Sequence, residues 1–134
     1  EPAPPIFTGN KIDLEKFNVL NSCEGCDLSG VDLRDAKLVR TDFRNVNLTG
    51  ADLREADLSK ANLEGANLRD ADLTDADLTD ADLFDADLTG ANLSKANLRG
   101  LNLTTTNLKN AFLDGAKYCK TQMPWGEVND DCEE

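Results

Sequence analysis

Four cysteines, Cys23, Cys26, Cys119 and Cys132, are the residues of this chain best suited to chemistry, and no histidine accompanies them. Cys23 and Cys26 are spaced C-x-x-C. At a helix start within a βαβ unit that spacing makes a redox pair, and with two more sulfurs around one ion it makes a zinc site. Without histidine, a serine or cysteine nucleophile has no ordinary general base. The 26 acidic residues could supply general acids or metal ligands, but there is no Gly-rich phosphate loop and no dense aspartate cage of the calcium-binding kind. What these groups can do depends on the elements that carry them.

A chain of 134 residues fits one domain. Its net charge of -12 and pI near 4.3 would repel phosphate backbones and anionic lipid, so no direct nucleic-acid binding is expected. No apolar run is long enough to span a bilayer, so membrane insertion is not expected either. The start "EPAPPIF" lacks the basic and apolar regions of a signal peptide. Beginning at Glu1 rather than Met, the chain reads as a processed mature form or a trimmed one. An even cysteine count suits an oxidised protein, at a density far below that of small disulfide scaffolds.

From Cys26 to Lys120 the sequence falls into nineteen five-residue units, as in "RDADLTDADLTDADLFDADL". The centre of each unit is Leu in seventeen of the nineteen, with Phe43 and Tyr118 as the exceptions. Two residues earlier stands Ala in thirteen units, ten of them consecutive from Ala51 to Ala96. The residue before the centre is almost always Asp or Asn, and the last two are mostly polar, charged or Gly. A helix would scatter leucines spaced by five around its circumference, and a long strand would throw successive leucines to opposite faces. A short extended piece with Ala and Leu pointing inward and Asp or Asn outward, followed by a two-residue corner, satisfies the pattern. Repetition of that bend winds the chain into a solenoid with an apolar bore.

The stretch "ADLREADLSKANLEGANLRDADL" resembles the pentapeptide-repeat proteins, whose signature is A(D/N)LXX. The resemblance covers residues 23 to about 132. It implies an all-β solenoid, a right-handed, quadrilateral parallel β-helix in which each unit forms one side. Nineteen units then make just under five coils, a rod about 20 to 25 Å long at the spacing of hydrogen-bonded strands.

An open solenoid end exposes unpaired backbone and apolar bore, so caps are expected. Residues 1–9 read as an extended Pro-rich tail, with "EPAPP" mobile, and residues 10–25 as a capping helix and junction. Asn10 would cap that helix, and Ile12, Phe17 and Leu20 would cover the first coil. Residues 121–134 read as a C-terminal cap and tail in which Met123, Pro124 and Trp125 form the lid, with Trp125 in the core.

On this rod the C-x-x-C follows a helix and enters the first coil, which does not suit thioredoxin-like chemistry. The two cysteine pairs would lie at opposite ends, roughly 20 Å apart, which excludes a shared zinc ion. The expectation is structural: Cys119 bonded to Cys132 pins the lid, and Cys23 bonded to Cys26 pins the N-terminal junction. Both phrases resemble the ends of cyanobacterial and plastid pentapeptide-repeat proteins, thylakoid-lumen members among them. Cys26 occupies an inward Ala position, so a buried free thiol is the alternative for the first pair.

Residues twenty apart should stack. The coil from Ala71 to Gly90 carries Asp72, Asp75, Asp77, Asp80, Asp82, Asp85 and Asp87 without one basic residue, while Arg34 and Arg54 stack like with like. The belt has two readings, backbone bonding with solubility or a partner surface, and Phe84 is the aromatic anchor within it. No catalytic constellation forms on a convex rod. No enzyme activity, metal or cofactor is expected. The functional expectation is a monomeric structural or protein-interaction module, its partner another protein, working in an oxidising compartment such as a periplasm or thylakoid lumen. The alternatives are a DNA-mimicking inhibitor of DNA gyrase, as the resemblance allows, and a cytoplasmic regulatory binding protein. Both would require the cysteines to work in a reducing cytoplasm.

Overall fold

The computed structural model describes residues 6–132. The segment "EPAPP", expected as a mobile tail, lies outside the described residues. Residue pairs twenty apart form parallel bridges in four ladders, from Asp27 with Asn47 to Asn102 with Gln122. The chain is therefore a four-sided solenoid with one unit per side. Only the residue before each centre is bridged, so the walls contain no continuous strand. The corner that follows every third residue of a side is the reason.

Unit 71–75 shows how each letter of the repeat acts. Leu73 N–H donates to Asn92 O of the next coil at 2.7 Å, and Asp72 N–H donates to Ala51 O of the previous one at 2.9 Å. Ala76 N–H closes the corner on Leu73 O at 3.0 Å, around Asp75 at φ 60°. That positive φ at the third turn residue is the mark of a type II turn. Asp72 Oδ1 accepts the Thr74 N–H at 3.1 Å and holds the turn from its other side. Leu73 and Ala71, pointing inward, are at most 1% exposed. Leu and Ala in alternation fill the bore from end to end.

The register is wider than the sequence reading of 26–120. Cys23 N–H donates to Asp42 O at 2.9 Å, so Cys23 occupies a centre position of the side preceding Cys26. At the far end Gln122 N–H donates to Leu101 O at 2.8 Å, and Met123, buried at 1%, is a further centre. Thr121 takes an inward Ala position and its hydroxyl donates to Leu98 O at 2.8 Å. Thr106 repeats the device on Leu83 O. Thr41 holds the same position in the first coil, where the chain twenty-three residues back is helix, and its buried hydroxyl has no partner.

Helix α1 spans Lys11–Leu20. Asn10 caps it, accepting from the N–H groups of Ile12 and Asp13. The covering face differs from the expected one. Phe17, 4% exposed, stacks at 5.5 Å on Phe43, and Leu14 packs beside it, whereas Ile12 and Leu20 are 73% and 62% exposed. Phe17 and Leu14 share one face of the helix, and Ile12 and Leu20 project from another. Asp13 Oδ2 accepts the Asp27 N–H at 2.8 Å, and residues 8–10 run antiparallel to the first side, with Thr8 N–H on Ser29 O and Asn10 N–H on Asp27 O. Residues 6–9 thus belong to the N-terminal cap.

Strands β1 (Thr121–Met123) and β2 (Gly126–Val128) pair as an antiparallel hairpin over the last coil. Trp125 is not in the core, as it sits on an outward corner at the hairpin turn and is 68% exposed. Met123 fills the bore in its place.

One seam breaks the ladder. No backbone hydrogen bond joins residues 81–85 to 101–105 among the described residues, and the 82 to 102 bridge is missing. Thr105 explains it. Across units 26–120 every other corner residue at this position has a positive φ, but Thr105, β-branched, does not. Its hydroxyl accepts the Asp85 N–H at 2.9 Å instead. Leu101, in place of an inward Ala, adds bulk at the same seam. Thr105→Gly should restore the left-handed corner. We expect slower hydrogen exchange at the Leu83 and Asn102 amides and a higher melting temperature; unchanged exchange would place the cause in Leu101 alone.

Candidate interaction surfaces and the cysteine pairs

The cysteines sort by their place in the coil. Cys23 and Cys26, 1% and 3% exposed, face into the bore beneath Phe17, with their sulfurs at disulfide distance and Cα atoms 5.4 Å apart. A pair sealed in apolar surroundings is out of reach of a dithiol partner. Cys119 takes an outward position of the last coil and lies at disulfide distance from the exposed Cys132, with Cα atoms 4.8 Å apart. The segment it ties down bonds back to the last coil: Asp131 N–H donates to Tyr118 O at 2.7 Å, and Tyr118 N–H donates to Asp131 Oδ2 at 3.0 Å. Each of the four cysteines thus has a partner at disulfide distance, and no group of three or more metal-ligating side chains forms among the described residues.

The acidic belt is a ring rather than a patch. Asp72 and Asp75 lie on one wall, Asp77 and Asp80 on the next, Asp82 and Asp85 on the third and Asp87 on the fourth. No single flat partner meets all seven. Each carboxylate residue also has a local task. Asp72, Asp77, Asp82 and Asp87 accept the N–H two residues on, while Asp75, Asp80 and Asp85 occupy the left-handed corners.

On the wall of residues 31–35, 51–55 and 71–75, Arg34 and Arg54 are not stacked like with like. Asp52, 5% exposed, stands between them. Arg54 reaches Asp52 at 2.5 Å and Asp72 at 3.9 Å, and Arg34 reaches Asp32 at 2.9 Å and Asp52 at 3.7 Å. The shallow cleft beside them, lined by Arg34, Asp35, Arg54 and Glu55, presents guanidinium groups already paired with carboxylates. Sequence inspection missed this alternation, although the Asp-x-Arg phrase at 32–34 and again at 52–54 encodes it.

The rod is thus made of four-sided coils of five-residue sides, with Leu and Ala inside and Asp or Asn bonding the turns. The sequence matches the family model described as pentapeptide repeats in 8 copies, over residues 26–65, 51–90 and 81–117. The chain belongs to this family. No curated protein sequence matches it. Among solved structures, it is similar to a pentapeptide repeat protein from the Arabidopsis thaliana thylakoid lumen, with 36% identity over 83% of this chain and 70% of that one and a TM-score of 0.52. A pentapeptide repeat protein from the cyanobacterium Cyanothece 51142 is 32% identical over 82% of this chain and 96% of that one, with a TM-score of 0.39. QnrB1, a plasmid-mediated fluoroquinolone resistance protein, is 23% identical over 75% of this chain and 57% of that one, with a TM-score of 0.45.

The turn-bonding carboxylates of this pentapeptide-repeat chain make its stability depend on pH. Arg34 beside Asp32 and Arg44 beside Asp42 hold those carboxyls below the ordinary range, and the Ser59 hydroxyl does so for Asp57. Burial works against Asp87, yet the Thr89 hydroxyl and N–H keep it low, and Asn129 with Gln122 lowers Glu127. A carboxyl lowered in the folded state contributes stability above its unfolded value of about 4 and loses it as pH falls through the folded values. Melting temperature should therefore hold between about pH 7 and 5 and drop below about pH 4. Asp42→Asn, which keeps the turn bond but not the charge, should make the drop shallower. A melting temperature that rose on acidification would show repulsion among the acids to dominate instead.

Proposed function

We propose that this pentapeptide-repeat protein is a non-enzymatic, protein-binding rod that acts as a monomer in an oxidising compartment, a thylakoid lumen or a periplasm. The observation that carries the reading is the pairing of all four cysteines at disulfide distance, one pair at each end of the coil. Bonds of this kind persist where thiols are not kept reduced. The likeness to the thylakoid-lumen protein supports the same compartment. Convex walls, whose shallow cleft at Arg34 and Arg54 presents guanidinium groups already paired with carboxylates, suit binding rather than turnover, and a net charge of -12 favours a protein partner over nucleic acid. The acids keep the rod soluble, and the pinned caps keep its ends from stacking on other copies.

Alkylation of the unreduced, natively isolated protein, followed by intact-mass measurement, counts free thiols directly. Zero alkylated cysteines is the expected result. Four would place the protein in a reducing compartment and overturn the reading. The exterior pair closes the longer loop, with a sequence separation of 13. Replacing Cys119 and Cys132 together by Ser should lower stability by about 2 to 4 kcal/mol in urea unfolding. A loss no larger than that from replacing Cys23 and Cys26 would contradict the assigned role of pinning the lid.

A further inference from the structure

One wall of the rod differs from the other three. Below its first two sides, 21–25 and 41–45, it is built from residues 61–65, 81–85, 101–105 and 121–125, and these four lower sides hold no Lys or Arg, only Glu64, Asp82 and Asp85 as charges. Arg44, on the same wall one coil before Glu64, is engaged with Asp42 and Glu24. On the same wall stand two exposed aromatics, Phe84 at 48% and Trp125 at 68%. Neither is required by the repeat. Phe84 holds a position that neighbouring units fill with Thr79 and Thr89, and Trp125 turns outward because Met123 already fills the bore. Phe112, also exposed, lies alone on the opposite wall.

The register sets the distance between the two rings. Gln122 is bridged to Asn102, and although the 81–85 and 101–105 sides share no backbone bond, the sides flanking them are bridged across the same two coils, Asp77 with Asn97 and Asp87 with Asn107, so Trp125 lies two coils below Phe84, about 10 Å along the axis. Side chains on one face of an extended peptide recur at about 7 and 13 Å. In a helix, positions i and i+7 share a face at about 10.5 Å. The spacing selects a helix lying along the rod. The charge selects a basic one, because an ammonium or guanidinium group over an aromatic face is attracted by the ring and, here, by the acids beside it. A second copy of this chain would bring the same acids against themselves, and nucleic acid would be repelled.

We propose that a basic helix of a partner protein docks along this wall, setting Lys or Arg at i and i+7 over Phe84 and Trp125, with Glu64, Asp82 and Asp85 attracting the cations. This rests on the protein-binding reading above and names its surface and its partner chemistry.

The test is a titration of the purified, oxidised protein with a labelled helical peptide carrying Arg at i and i+7 on a neutral background. An isomer with Arg at i and i+9, on opposite faces, is the control. The matched peptide should bind at least about tenfold more tightly than the isomer. Phe84→Ser and Trp125→Ser should each weaken it about fivefold or more. Thr104→Lys, a cation placed between the rings, should do the same, and Phe112→Ser should change nothing. Affinity should fall as salt rises from about 0.05 to about 0.5 M. Melting curves identify any variant that fails to fold, and Phe84→Ser keeps the residue type of its neighbours. Equal binding of the two isomers, no binding, or indifference to both aromatic substitutions would overturn the proposal. Such a failure would leave the compartment reading standing, because that rests on the thiol count, and free thiols in the native protein would not touch the wall.

Discussion

The structure depends on one backbone constraint, a left-handed corner at the end of every five-residue side. Glycine adopts it without cost, but here it falls on Asp, Lys, Asn, Glu and Arg as well, each strained by about 1 to 2 kcal/mol relative to the right-handed region. The strain persists because every corner is held by several bonds at once. The turn hydrogen bond closes it, the unit's own Asp or Asn side-chain oxygen braces it in most units, though not at Arg40 or Lys120, and the neighbouring coil accepts or donates on either side. Two inward positions per side follow from the corner's geometry, and the alternation of large Leu with small Ala follows from the width of the bore. Where the corner residue is β-branched, at Thr105, the left-handed conformation is out of reach and the ladder opens at that seam.

Most of the surface chemistry is already spent on this constraint. A ring of aspartates invites a reading as an electrostatic footprint, but the residues divide into those that brace turns and those that occupy corners, and the ring passes around all four walls. Acidity of the chain is thus a consequence of the repeat and says little about any one partner. The informative residues are those the coil does not need. Phe84, Trp125 and the outward Cys119 hold positions where a polar residue would serve the fold equally well. They fall near the C-terminal half, where the register also departs most from the consensus. The proposed docking wall and the tied-down C-terminal end therefore share one region of the rod.

The period of five was legible because no other element tolerates it: the inward Leu and Ala, the twenty-residue stacking and the Asn10 cap follow from the sequence by elementary geometry. The ends were less legible for a definite reason. Trp125 reads as a lid by its size, yet burial is set by register, and continuing the count past Lys120 puts Met123 at the centre and Trp125 at the corner. The same count carried backwards puts Cys23 in the bore. The capping helix misleads because a short helix touches the coil with a narrow stripe, here Leu14 and Phe17, too narrow to reach Ile12 or Leu20. Arg34 and Arg54 stack by register alone, but side-chain reach interleaves Asp52 between them.

Closing both ends matters more for this chain than for a globular domain of equal length. A solenoid of about five coils buries its leucines only against the coils above and below, so each terminal coil loses half of that protection and exposes backbone donors and acceptors to any passing strand. The N-terminus answers with an Asp13 carboxylate on the Asp27 N–H, an antiparallel segment beside the first side and the Phe17 ring over the bore. The C-terminus answers with a hairpin whose own edge is tied back through Asp131 and Tyr118. A short hairpin is marginal on its own, and the Cys119 and Cys132 pair lies where a covalent tie would add most to it. The interior pair at Cys23 and Cys26 spans only three residues and constrains little unfolded chain; its place is a packing one, two sulfurs filling the top of the bore where the Leu and Ala series begins.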